Sequence, residues 1–259
     1  MYSSEEILAM VNQGLDALHL ERQPFGLYKP IRYVLSAGGK RIRPVLLLMT
    51  YNMYKEDVSP AMPTAVGIET YHNYTLLHDD VADDSDQRRG VPTIRSLMGP
   101  SVSVLLGDYW LVKAMELILA DAEADTKVIK IFSKTLSDLA EGEMLQLQKA
   151  QSGDTDEQDY LRIIYNKTAP LFEAACVTAA LSVDAPQEYM QAAKDYAVAL
   201  GLAFQIVDDW LDTYGDPAVF GKSIGGDIIN NKKTWLLTKA FEKSGELRGE
   251  LLEAMNMPV

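Results

Sequence analysis

The chain has 259 residues, 47% of them hydrophobic and 24% charged, and a formal net charge of −13. That composition excludes a disordered, fibrous or membrane-spanning chain and leaves room for one substantial core or two small domains. The negative field disfavours nucleic acid and stable insertion into an anionic membrane. It would also repel a diphosphate unless basic side chains and cations gathered at one place.

In chain order, the N-terminus Met-Tyr-Ser-Ser-Glu-Glu carries no basic or apolar signal region. No secretory signal is expected, and the cytoplasm is the default compartment. Ser3 and Glu6 have the spacing of a capping box. The helix they open has the stripe Ile7, Leu8, Val11, Leu15 and Leu18. Gly38-Gly39 breaks the chain before Pro44, which fits the first turn of a helix running to about Tyr54. A longer helix is predicted from about Ala61 to Asp83, and the polar stretch Asp84 to Pro92 reads as a loop. Further helices are predicted near 101–121, 126–150, 157–181, 187–214 and 226–243. The single cysteine, Cys176, lies in an Ala-rich apolar run and reads as a small core residue. Period-2 alternation is nearly absent, and no linker or repeat interrupts the pattern. The expectation is an all-α, single-domain bundle of roughly ten helices over residues 1–259.

Two aspartate clusters stand out. Asp79, Asp80 and Asp83 follow Leu76-Leu77-His78, and Asp208, Asp209 and Asp212 follow Gln205-Ile206-Val207. Both place carboxylates at i, i+1 and i+4. On an α-helix i and i+4 share a face, and i+1 flanks them about 100° round. Three carboxylates that close repel one another unless cations sit among them. All-oxygen donors favour Mg²⁺ or Mn²⁺ over Zn²⁺, and Mg²⁺ typically bridges to phosphate oxygens. A single triplet could be a solvated face. Two with identical spacing, each on an apolar helix, point to a divalent-metal site. Basic residues able to meet a phosphate also occur: Lys40 and Arg43 at a helix start, and Arg88 and Arg89 just after the first cluster.

His78 to Gly90, with Pro92 and Thr93 after it, resembles the first aspartate-rich region of the trans-isoprenyl diphosphate synthases. Phe204-Gln205 with Asp208, Asp209 and Asp212 resembles their second. Gly38 to Pro44 (GGKRIRP) is similar to their N-terminal signature. Lys167-Thr168-Ala169, Gly221-Lys222, and Gly226-Asp227 through Lys232-Lys233-Thr234 match later blocks, in order from about residue 28 to 240.

The resemblance implies helices around a central cavity and a homodimer. It implies that the six aspartates hold Mg²⁺ ions, about three of them, with Mn²⁺ able to substitute. Lys40, Arg43, His72 and Arg89 would bind isopentenyl diphosphate; Arg88, Lys167, Lys222 and Lys232 would bind the allylic diphosphate. Lys167 through its carbonyl, Thr168 and Gln205 would supply dipoles for an allylic carbocation. Pro170 would kink its helix and orient that carbonyl. The reaction would be head-to-tail condensation, with the released diphosphate as proton acceptor. His72 lies seven residues before Asp79, about 20° away on the same helical stripe. Thr75 and Tyr74, four and five residues before the first cluster, would floor the product tunnel. An aromatic there implies a product of fifteen or twenty carbons. Thr75 sits about 40° from Asp79 on a helical wheel and Tyr74 about 140°, so only the resemblance selects Tyr74.

Against the family pattern the chain ends soon after Lys232-Lys233-Thr234, which reads as a short C-terminus. A class I terpene cyclase would lack the Gly-Gly-Lys-Arg-x-Arg-Pro signature and the second Asp triplet. A non-catalytic subunit of a heteromeric synthase would tend to lose one triplet. Both triplets are intact here, which favours the synthase.

Overall fold

The computed structural model describes residues 1–20, 23–120, 126–151, 156–216 and 224–255. These contain twelve α-helices, two 3-10 turns and one two-stranded hairpin, so the chain is all-α. They fall into two compact units: Met1–Phe132 with Glu173–Asp195, and Ser133–Phe172 with the residues from Tyr196 onward.

The first unit begins with α1 (Ser4–Asp16), where Ser3 and Glu6 form the reciprocal capping box and Ile7, Val11 and Leu15 are buried. α2 (Phe25–Ser36) has no side-chain cap and contains Pro30. Those two features hid it from the sequence reading, which placed no helix there. α3 (Ile42–Asn52) starts two residues before the expected Pro44. α4 (Met62–Ala82) is followed by β1 (Gln87–Arg88) and β2 (Val91–Pro92), paired antiparallel. The expected loop from Asp84 to Pro92 is therefore a small hairpin, too short for alternation to reveal. α5 (Ile94–Met98) is a further unexpected helix, capped by the Thr93 hydroxyl accepting from the Ser96 N–H.

α6 (Pro100–Ile118) packs along α4. Two glycines allow this close approach. A Cβ on Gly67 would lie 2.7 Å from the Ile118 side chain, and one on Gly107 would lie 2.3 Å from the His78 ring. Each pair sums to the same residue number, so the two helices run antiparallel, and the Ser103 hydroxyl donates to the Leu77 carbonyl. Leu20, Ile31, Leu77, Ile94, Leu106 and Trp110 form the core beside this seam. Each such side chain contributes about 1.5–3 kcal/mol by leaving water. The seam fixes the end of α4 that carries the first aspartates.

Three long helices, α7 (Thr126–Gln151), α8 (Glu157–Ser182) and α9 (Gln187–Tyr214), contribute to both units. In the second unit Gly142 of α7 lies against the Asn166–Lys167 backbone, and Gly201 of α9 lies against Ala169. α8 is thus held closely from two sides at Lys167 and Thr168. The helix expected over 226–243 is broken into α10 (Gly226–Ile229) and α11 (Trp235–Lys243). Asn231 adopts φ 57° between them, and the Thr234 hydroxyl caps α11 by accepting from the Leu237 N–H. α12 (Arg248–Met255) closes the described chain. No helix among the described residues is long and apolar enough to cross a membrane.

Candidate active site

Both aspartate triplets sit at the C-terminal ends of helices. Asp79 and Asp80 are in the last turn of α4 and Asp83 is its C-cap; Asp212 is in the last turn of α9, with Asp208 and Asp209 one turn earlier. Neither last turn contains a basic residue. A helix C-terminus carries partial negative charge, so each carboxylate there costs about 0.3–1 kcal/mol unless a cation compensates. Hard oxygen donors in that setting fit Mg²⁺. Among the described residues, no three His, Cys, Asp or Glu side chains are drawn together closely enough to hold an ion unaided. Asp80 and Asp209 are instead held by protein donors.

In the first unit, buried Asp80 accepts from Arg88 Nε at 2.6 Å. Burial raises the Asp80 carboxyl above its ordinary range, and Arg88 offsets part of that shift. Arg89, in left-handed conformation, donates to the Gly38 carbonyl. Its guanidinium lies 2.8 Å from where a Cβ on Gly39 would be, and Gly39 has φ 144°, a conformation that favours glycine. His72 is held well below its ordinary value by burial first and then by Arg43, Arg89, Arg88 and Arg41. The ring is therefore kept neutral in the field of those guanidinium groups. Lys40 is exposed in the loop entering α3, beside half-buried Arg43. Asn73, Asp80, Arg88 and Arg89 line a cleft of about 360 Å³ with Leu76, Leu77 and Ile94. Three of the sequence-selected side chains, Asp80, Arg88 and Arg89, thus line one cleft at the end of α4, and His72 feels the charge of Arg43, Arg88 and Arg89.

Tyr74 lies on the α6 side of α4. Its ring is edge-on to Tyr71 at 5.4 Å and to His78 at 4.9 Å, and it packs on the core cluster. The Thr75 hydroxyl donates to the His72 carbonyl at 2.8 Å.

In the second unit the partners are mostly neutral. Asp209 is 1% exposed and accepts from the Tyr160 hydroxyl and from Gln205 Nε2, both at 2.8 Å. Gln205 Oε1 accepts from the Thr168 hydroxyl at 2.8 Å. Asp212 accepts the Asp227 N–H at 2.9 Å on its side chain and the Gly225 N–H at 2.7 Å on its carbonyl. Lys232 lies 3.0 Å from Asp227 and 3.5 Å from Asp209. Burial acts to lower its ammonium, but Asp209 and Asp227 hold it above its ordinary value. Lys167 pairs with Glu143 at 2.6 Å. Lys167, Thr168, Gln205 and Lys232 all line one cleft of about 390 Å³, walled by Tyr160, Ile163 and Ile164. α8 runs unbroken through Pro170. Its ring lacks the N–H that would reach the Asn166 carbonyl, so the freed acceptor is Asn166 and not Lys167. Lys222 lies outside the described residues.

Sequence reasoning missed Arg41, Glu69, Asn73, Tyr160 and Asp227. Glu69 carried a signal, because an acid directly after Ala65-Val66-Gly67-Ile68 on the same helix must be buried and paired. The pairing of Tyr160 with Asp209 spans 49 residues and leaves no local trace.

Residues 25–257 match the model of the polyprenyl synthetase family. The chain is 39% identical over 222 residues to a short chain isoprenyl diphosphate synthase of Methanocaldococcus jannaschii, covering 85% of this chain and 68% of that protein. It is 38% identical over 209 residues to the octaprenyl diphosphate synthase of Escherichia coli, covering 81% and 64%. A crystal structure of a geranylgeranyl pyrophosphate synthase superposes with a TM-score of 0.92 at 36% identity, covering 99% of this chain and 79% of that one.

Proposed function

The chain belongs to the polyprenyl synthetase family, and we propose that it is a trans-prenyltransferase joining isopentenyl diphosphate head-to-tail to an allylic diphosphate. One observation carries this reading. In a chain of net charge −13, Arg88 holds Asp80 at 2.6 Å and lines one cleft with Arg89, while Arg41, Arg43, Arg88 and Arg89 all act electrostatically on His72. Such a concentration of guanidinium groups suits a diphosphate.

Lys40, Arg43, His72 and Arg89 hold the diphosphate of isopentenyl diphosphate, the neutral imidazole offering a hydrogen bond without adding charge. Arg88, Lys167, Lys222 and Lys232 hold the allylic diphosphate. Magnesium ions, about three of them, would neutralise that diphosphate when bound at the six aspartates and make it a leaving group. The bond from the allylic carbon to diphosphate oxygen breaks as positive charge develops on carbon. Gln205 Oε1, the Thr168 oxygen and the Lys167 carbonyl are the dipoles offered to that charge, in the cleft lined by Lys167, Thr168 and Gln205 beside Ile163 and Ile164. The Thr168–Gln205–Asp209 chain fixes the amide so that its oxygen and nitrogen do not exchange. The double bond of isopentenyl diphosphate then supplies both electrons of the new carbon–carbon bond. A proton leaves to the released diphosphate, so no protein base is assigned.

The layering on α4 supports a short product. Tyr74 covers Tyr71, which in turn contacts Phe132 with ring centroids 6.1 Å apart. A floor of that bulk suits fifteen or twenty carbons. Tyr74→Ala should shift products to longer chains by mass spectrometry, and an unchanged distribution counts against the assignment. Leu105 and Val112, seven residues apart on α6, are both exposed and suit pairing of two copies. In this reading the protein works in the cytoplasm as a homodimer.

The deciding experiment incubates purified protein with isopentenyl diphosphate, each allylic diphosphate in turn, and Mg²⁺. Elongated prenyl diphosphates are expected. Hydrocarbons formed without isopentenyl diphosphate, or no turnover, would overturn the proposal.

A further inference from the structure

We infer that Arg41 and Glu69 are positioning residues: their buried ion pair, steadied by Asn73, fixes the Gly38–Arg43 segment and thereby sets affinity for isopentenyl diphosphate. The inference rests on the reading above that Lys40 and Arg43 meet that diphosphate.

The segment needs an external anchor. Gly38, Gly39 and Arg41 have φ values of 78°, 144° and 49°, so three of four consecutive residues lie in the left-handed half of backbone space. Two are glycines and tolerate it, but in Arg41 the conformation is strained. No side-chain hydrogen bond caps α3, which begins directly after Arg41. The backbone alone therefore does not hold Lys40 and Arg43 in one place.

Arg89 holds the Gly38 end through its carbonyl, and the Arg41 side chain anchors the end that enters α3. Nη1 donates to Glu69 Oε1 at 2.7 Å and Nη2 to the Leu35 carbonyl at 3.1 Å, tying the last turn of α2 to the middle of α4. Asn73 Nδ2 donates to the Glu69 carbonyl at 2.7 Å and lies 3.4 Å from Oε1, steadying the carboxylate. Glu69 is one turn before His72 on α4. The anchor thus links the Lys40–Arg43 segment to the helix carrying the histidine of the same site. Arg41 and Glu69 have side chains only 4% and 2% exposed, so neither reaches a ligand. Stability alone does not account for the pair, because a volume-matched apolar pair is often at least as stable as a buried ion pair.

Charge and geometry predict opposite signs here, which makes the inference testable. Arg41, Arg43, Arg88 and Arg89 all act on His72, and Glu69 opposes the positive charge around Arg89. Removing the Glu69 charge leaves the cluster more positive, so a site working by charge alone would bind a diphosphate more tightly. A site that depends on position would bind it more weakly.

The experiment measures kcat and both KM values for wild type, Glu69→Gln and the volume-matched double variant Arg41→Met/Glu69→Leu, with thermal melts of each. We expect KM for isopentenyl diphosphate to rise about tenfold in Glu69→Gln, with kcat and the allylic KM within about twofold. The folded double variant should show the same selective rise. Should Glu69→Gln fail to fold, the double variant decides. An unchanged or lowered KM for isopentenyl diphosphate, or an equal loss in all three constants, overturns the inference while leaving the proposed reaction standing. A wild-type chain that turns over no isopentenyl diphosphate overturns the proposed reaction and this inference with it.

Discussion

The two aspartate triplets have the same spacing and the same place at a helix C-terminus, yet their surroundings differ. At the end of α4 the neighbours are charged: Asp80 is held by Arg88, and four arginines act electrostatically on His72. At the end of α9 they are mostly neutral: Asp209 is held by a phenol and an amide, and Asp212 by a backbone N–H. The first arrangement concentrates positive charge and lets a carboxylate exchange its partner for another ligand. The second fixes its carboxylates by directional hydrogen bonds in a buried place. Identical motifs can therefore divide the work, one side gathering an anion and the other holding oxygens in register.

The largest effects should come from removing the carboxylates. Asp80→Ala and Asp209→Ala should each lower kcat/KM about a thousandfold, several kcal/mol of barrier, if cations act at both motifs. Their stabilities should separate the two sites. Asp209→Ala strands the Tyr160 hydroxyl and the Gln205 amide in a buried place and should cost about 2–3 kcal/mol in urea melts. Asp80→Ala leaves only Arg88, whose side chain is 22% exposed and can turn to water, and should cost about 1 kcal/mol. Equal losses of stability would erase the contrast.

The partners themselves should show it next. Arg88→Ala should lower turnover about a hundredfold if Arg88 meets the allylic diphosphate as proposed, and should cost about 1–3 kcal/mol in melting because it leaves the buried Asp80 carboxylate unpaired. Tyr160→Phe should lower turnover only about tenfold but cost about 1–2 kcal/mol, because it removes a buried donor from Asp209. It should also raise the Mg²⁺ concentration needed for half-maximal rate. A Tyr160→Phe protein with unchanged melting and unchanged Mg²⁺ dependence would mean that the hydroxyl does not hold Asp209 in place.

That division of labour was only half legible in the sequence. The i, i+1, i+4 spacing places Asp79, Asp80 and Asp83, and likewise Asp208, Asp209 and Asp212, because helical geometry is local. The residues that hold them belong to distant parts of the chain: Arg41 pairs with Glu69 across 28 residues and Tyr160 with Asp209 across 49. No local pattern encodes such a partner. The fold divides in the same way. α9 has the expected bounds because its apolar stripe is long, whereas the break before α11 went unseen. Asn231 makes that turn where a glycine would have announced it. Thr234, with its hydroxyl on the Leu237 N–H, was the available sign of a new helix start.

The smallest expected effect is on stability against pH, and it should have opposite signs in the two regions. His72 is held below its ordinary value near 6.5, so below that pH the unfolded chain binds a proton that the folded chain refuses. Its contribution should make stability fall as pH drops through 6.5, by at most about 1.4 kcal/mol per unit, until the folded ring protonates. Asp227 is raised above its ordinary value near 3.8 by burial, despite Lys232 beside it. In its window, starting near 3.8 and extending upward, the folded chain binds more protons, so acidification there adds stability. His72→Asn should therefore flatten the decline between about pH 6.5 and 5 seen in urea melts, whereas Asp227→Asn should leave the slope in that upper range nearly as it was. If His72→Asn leaves the decline unchanged, the imidazole is not the group that the arginines keep neutral.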